Sequence, residues 1–189
     1  MRLRSERPGA GECHDYYMTY IDLVPSGDIV RTLEAQVADT DEVLRRVPAE
    51  REMSSYMPGK WTVREVVGHV IDAERIFAVR ALAGARSDPA AFPSFEQDDY
   101  VRASAVDHRR LEDQRAELMA VRAATVATFA GFEEAAWLRR VAASGREFSV
   151  RSLAYIIAGH ERHHRVVLET RYLAAFAERG CSDPATDPR

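Results

Sequence analysis

The sequence predicts an all-α protein, a four-helix bundle with a long crossover connection. Three observations carry this. Four segments of about 20 residues repeat their apolar positions with the helical period, and no stretch alternates convincingly as a strand does. Helices of that length with one apolar stripe each pack most readily around a shared core. The segments between them are too long for tight antiparallel turns, so at least one must cross the bundle. A chain of 189 residues is enough for one domain with a substantial core.

The first helix is expected over 28–47, with Ile29, Leu33, Val37, Thr40, Leu44 and Val47 on its stripe. The second is expected over 62–83. It opens at "TVRE", where Thr62 and Glu65 have capping-box spacing. Its stripe runs through Val63, Val66, Val67, Val70, Glu74 and Phe77. Glu74 is a carboxylate on an apolar face and needs a partner, with Arg80, Arg171 or a histidine ring N–H as candidates; a structural salt bridge is favoured over a role beside a metal. The third helix is expected over 104–130, using Leu111, Leu118, Val121, Thr125 and Phe129. The fourth, over 149–177, has Ser149 as N-cap.

The connections are "PAEREMSSYMPGKW", "GARSDPAAFPSFEQDDYV" and "GFEEAAWLRRVAASGREF". Trp61 is expected to anchor the loop entering the second helix. Asp98, Asp99 and Tyr100 are read first as loop-capping residues, and secondarily as a lining for the mouth of a site. Gly145 suits a small hairpin. The domain is placed at 25–178, between a flexible N-terminal arm over 1–24 and a disordered tail over 179–189.

Charge and composition exclude several functions. There are 26 Lys+Arg against 30 Asp+Glu, a formal net charge of −4, and the basic residues alternate with acids rather than clustering. No nucleic-acid footprint results. No apolar run approaches the roughly 18 residues of a membrane span, and "MRLRSERPGAGE" lacks the apolar core of a signal peptide. Cys13 and Cys181 lie near opposite ends and form no CxxC pair, so a reduced, cytoplasmic setting is expected.

The chemistry concentrates in "AGHERHHRVVLE", residues 158–169. His160 and His164 are one helical turn apart and leave the same face. That face is the apolar stripe of Val150, Leu153, Ile157, Val167 and Leu168, with His163 near its edge. Buried imidazoles need partners for their ring nitrogens, and one shared metal ion satisfies both; the alternative is a pair of core histidines bonded to carbonyls or carboxylates. A metal site usually needs a third protein ligand. His14 and His108 fall in charged or irregular segments and are expected to be solvated. His69 flanks the second helix's stripe and can meet the fourth helix across the core.

Read literally, His160-Glu161-x-x-His164 is HExxH, a zinc-protease motif. Its extended form would require Gly at Val167 and His at Thr170, and only 25 residues remain after His164 to supply a downstream glutamate. A di-metal bundle would need a second ExxH, which is absent, and Glu161 lies about 100° from His160 around the helix. Both readings are set aside.

The blocks "GKWTVREVVGHVIDAER", "FPSFEQDDYV" and "FSVRSLAYIIAGHERHHRVVLE" resemble the DinB-like family of damage-inducible four-helix proteins, over about residues 25–175. The resemblance implies a divalent ion, zinc or nickel, on His69, His160 and His164, with His163 outside the ligand set. It implies a homodimer, a role in stress response, and small-molecule partners. Relatives such as the bacillithiol S-transferases use their metal to handle a low-molecular-weight thiol. The expected function is therefore metal-dependent transfer of a small thiol to an electrophile. A metal-dependent hydrolase and a non-catalytic metal-binding protein are the alternatives. Metal chemistry alone does not choose between activating a thiol and activating water. The connection carrying Phe92, Phe95 and Tyr100 is expected to cover the electrophile.

Overall fold

The structure, a computed structural model, describes residues 3–180. Its helices are α1 (Met18–Ile21), α2 (Ile29–Arg45), α3 (Val63–Ala85), α4 (Gln97–Ala103), α5 (Leu111–Ala130), α6 (Val150–Val167) and α7 (Ala174–Gly180). Two strands, β1 (Arg140–Ala143) and β2 (Arg146–Ser149), form a hairpin. The long helices α2, α3, α5 and α6 make the bundle. Going round it, α3 touches α5 and α6, and α2 touches the same two. Helices next to each other in sequence, α2 with α3 and α5 with α6, therefore stand on diagonals. This is the expected crossover architecture.

Local chemistry sets the helix starts. The Asp28 carboxylate accepts the Val30 N–H at 3.0 Å, and the Ser149 hydroxyl accepts the Ser152 N–H at 2.9 Å. At α3 the capping box forms in both directions: Glu65 N–H to the Thr62 hydroxyl, and Thr62 N–H to the Glu65 carboxylate. The hairpin turns on Ser144 and Gly145, both left-handed, as a two-residue turn matched to strand twist requires. Its edge binds the crossover: Phe92 N–H donates to the Ala142 carbonyl and Ser144 N–H to the Phe92 carbonyl, each at 2.9 Å.

Four expectations are corrected. The third helix does not begin at 104. Ala105 is left-handed (φ 49°), which a continuing right-handed helix excludes, and α5 starts at Leu111. The segment before it, expected as a loop, instead holds α4. The core face of α5 runs Leu111, Gln114, Leu118, Arg122, Thr125 and Phe129, so Arg122 occupies the stripe position given to Val121.

The N-terminal segment is the fourth correction. Residues 3–24 pack against the bundle, burying Ile21, Val24 and Cys13. Ser149 N–H donates to the Glu12 carbonyl at 2.8 Å, and Arg151 pairs with the Glu12 carboxylate. Arg7 donates to the carbonyls of Ile21 and Val24, closing the end of α1. The backbones of α1 and α6 touch at Gly159, where a Cβ would lie 2.0 Å from the Tyr20 carbonyl oxygen. Docking by ion pairs and backbone contact leaves little apolar periodicity to read. At the other end α6 continues through one wider turn, Leu168–Leu173, into α7. Residues 179 and 180 are thus helical, and the rest of the expected tail, 181–189, lies outside the described residues.

The core has two apolar layers. One gathers Leu33, Phe77, Phe129, Trp137 and Leu153; the other gathers Val37, Leu44, Val70, Leu118 and Leu168. Between them each bundle helix supplies one polar side chain: Gln36, Glu74, Arg122 and Glu161, all buried. The Arg122 guanidinium reaches Glu74 at 2.8 and 2.9 Å and Glu161 at 2.6 Å, and donates to the Leu33 carbonyl at 3.0 Å. Gln36 donates to Glu161 at 2.5 Å and to the Ala158 carbonyl at 2.9 Å. Glu74 is therefore a structural ion-pair residue as expected, but with Arg122 rather than Arg80, Arg171 or a histidine.

Candidate metal centre

The α3–α6 contact brings the three histidines together. His69 comes from α3 and His160 and His164 from successive turns of α6. His160 Nε2 lies 3.0 Å from His69 Nε2 and 3.2 Å from His164 Nε2. The rings meet edge to face, with centroids 4.6 to 5.0 Å apart. His69 and His160 are buried and His164 half-buried. Each offers a ligand nitrogen within 4.8 Å of the others, so the set could hold a metal ion.

Electrostatics suits that use. Burial depresses His69 to about 4, against a small opposing pull from Asp98. Burial, with the neighbouring His69 and His163, depresses His164 to about 3. His160 is driven well below the ordinary value by burial and the other histidines. All three are neutral at physiological pH and keep a lone pair. His160 Nε2 faces two nitrogens yet carries either one hydrogen or one lone pair, so it cannot satisfy both neighbours by hydrogen bonding. A cation at the centre satisfies all three lone pairs. Tetrahedral nitrogen ligands at ~2.05 Å from an ion stand ~3.3 Å apart, close to the observed spacings.

The neighbouring motif residues separate cleanly. His163 is exposed and outside the cluster. Glu161 points into the ion layer, held by Arg122 and Gln36, and is not available as the general base an HExxH protease needs. His14 caps a short N-terminal turn, accepting the Tyr16 N–H at 3.1 Å, and His108 is exposed, as expected for solvated histidines. Trp61 packs on the His69 ring at 4.9 Å, and its carbonyl accepts the Tyr172 hydroxyl at 2.6 Å, so it anchors its loop and also faces the site.

Two clefts open onto the cluster from different sides. The first, about 240 Å³, reaches His69 and His160 between Tyr16, Tyr17, Tyr20, Phe77 and Phe95. Tyr20 sets its ring edge against His160 and His163 at 5.4 and 5.5 Å. Its hydroxyl shares a 3.1 Å hydrogen bond with Tyr16, and burial raises its pKa. The second cleft, about 410 Å³, reaches His164 and His163 between Tyr56, Lys60, Trp61 and Asp98. Gln97, first residue of α4, borders both. Asp98 thus lines the site, whereas Asp99 pairs with Arg102 at 2.7 Å and Tyr100 meets Phe95 edge to face over a separate apolar hollow. Of the expected electrophile cover, Phe95 borders the first cleft and Phe92 only that hollow. Sequence reasoning missed Tyr16, Tyr20 and Lys60. Tyr16-Tyr17-x-x-Tyr20 was visible as a cluster, but nothing in it showed that the segment docks.

A four-helix bundle with diagonal connections and a three-histidine cluster between two of its helices defines the class. The DinB superfamily model matches residues 31–168, and the chain belongs to that superfamily. Among curated proteins none matches it in sequence. Among solved structures it is similar to YfiT from Bacillus subtilis, described as a probable metal-dependent hydrolase with an unusual four-helix bundle topology. The identity is 14%, with 94% of this chain and 98% of that one covered, at a TM-score of 0.71. No helix among the described residues is long and apolar enough to cross a membrane.

Proposed function

We propose that the protein is a metal-dependent enzyme that transfers a low-molecular-weight thiol to an electrophile. Its ligands are His69, His160 and His164, and its ion is divalent, zinc or nickel. The observation that supports the metal part of this reading is the convergence of three uncharged Nε2 atoms at 3.0 and 3.2 Å. A divalent ion bound there supplies Lewis acidity at neutral pH. In keeping with the family resemblance, the setting is cytoplasmic, the role a stress response and the assembly a homodimer.

The chain's own residues divide the remaining work. Two clefts at one centre suit two reactants better than one substrate and water. Tyr17, Phe77 and Phe95 give the first cleft an aromatic wall suited to an apolar group, beside the polar Glu96 and Gln97. The Tyr16–Tyr20 pair uses one of its two hydroxyl hydrogens internally, and the other is left to donate to an acceptor oxygen on that group. Arg80 lies over the faces of Phe77 and Phe95 at 5.8 and 5.9 Å and donates to the Pro93 carbonyl, which stiffens the aromatic wall. Glu161, locked in the ion layer, takes no part in proton transfer.

The hydrolase reading is second, favoured by the description of YfiT. Activity should be lost on chelation and restored by zinc or nickel, and lost in His160→Ala. In cobalt-substituted protein, added thiol should produce a charge-transfer band. Turnover of esters or amides with no thiol effect on the cobalt spectrum would establish the hydrolase instead. Absence of both would leave a non-catalytic metal-binding protein.

A further inference from the structure

The cleft at His164 carries two charges that the fold does not use. Lys60 is the only lysine in the sequence, so the other 25 of the 26 basic residues are arginines. Its side chain has no hydrogen bond or ion pair among the described residues, and neither does that of Asp98. Both line the same cleft as His164, yet they are not paired with each other. Asp99, the next residue, is neutralised by Arg102. Asp98 lines the cleft that reaches His163 and His164, which places its charge beside the histidine cluster.

One cation and one acid, unpaired with each other beside the histidine cluster, discriminate among thiols. A thiol with only a carboxylate is attracted by Lys60 and repelled by Asp98. One with only an ammonium group meets the reverse. A thiol bearing both satisfies both. The cleft, at about 410 Å³, exceeds the size of one amino acid and leaves space for further substituents. Resting on the metal-dependent transfer reading above, we propose that this cleft binds its thiol through an amino-acid-like zwitterion, Lys60 taking the carboxylate and Asp98 the ammonium group.

Four thiols of similar size test this on full-length, cobalt-loaded protein, with cobalt retention checked after desalting: cysteine, 3-mercaptopropionate, cysteamine and 2-mercaptoethanol. The readout is the thiol-dependent change in the cobalt spectrum. Cysteine should bind tightest. Lys60→Met should weaken cysteine and 3-mercaptopropionate by about tenfold and leave 2-mercaptoethanol unchanged, the size expected for losing one charge-assisted hydrogen bond. Asp98→Asn should weaken cysteine and cysteamine in the same way. Both residues are exposed, so neither substitution threatens the fold. Four equal affinities, insensitive to both variants, overturn the proposal while leaving the metal reading standing. Binding that follows the carboxylate alone, with Asp98→Asn silent, also overturns it and makes the cleft a simple anion site. Failure to retain cobalt overturns the metal reading and this one with it.

Discussion

His160 lies within 3.2 Å of two other imidazole nitrogens, and burial holds all three rings uncharged. This has a pH consequence in metal-free protein. The folded-state values, about 4 for His69 and about 3 for His164, lie below the unfolded value of 6.5. On acidification the unfolded chain therefore takes up protons first. Stability from these groups is full above about pH 6.5 and falls as pH drops towards the folded-state values. Chemical denaturation of the apo protein should show a falling midpoint between about pH 7 and pH 5, and a flat profile there would contradict the burial. Substitution separates the roles: His160→Ala or His164→Ala should abolish metal retention, measured as metal content after desalting, and His163→Ala should not. Retention by His69→Ala would show the ligand set to be wrong. Arg122→Met leaves two buried carboxylates without their cation and should cost about 3–5 kcal/mol in unfolding free energy. Glu161→Gln should leave metal content unchanged, because its side chain faces the ion layer.

At the scale of elements, α1 is fixed by its contact with α6. Gly159→Ala would drive a methyl group into the Tyr20 carbonyl, and one backbone must move. The expected result is faster proteolytic cleavage between residues 3 and 24, with the bundle intact and the first cleft opened; a cleavage pattern matching the parent would show that the segment is held elsewhere. The long helices were legible because their caps and apolar stripes are local signals, and His160 and His164 were legible because an i, i+4 pair marks a face. Arg122 was not, although Leu118, Arg122, Thr125 and Phe129 share one face: a charged residue in a stripe reads as an edge position until its two carboxylates are found on other helices. The start of α5 was missed because a single left-handed alanine, Ala105, has no sequence signature. The N-terminal segment was missed because Glu12, Arg7 and Gly159 act through partners distant in sequence.

For the whole molecule, Val79 and Leu82 are exposed one turn apart on α3, beside the apolar hollow bordered by Phe92 and Tyr100. A homodimer through this face is expected, with a sedimentation mass of twice 21.2 kDa that falls towards the monomer in Val79→Asp. A monomer mass at micromolar concentration in the parent protein would reject it. The diagonal connectivity also has a consequence for synthesis. As the chain leaves the ribosome, α2 and α3 emerge together but have little to bury against one another, since each packs on α5 and α6. The first large helix pair waits for α5, and the last two histidines of the cluster arrive only with α6, beyond residue 150. Newly made chains must therefore stay protected until most of their length is out, and an ion held by the three histidines would be captured as the final step of folding rather than its seed.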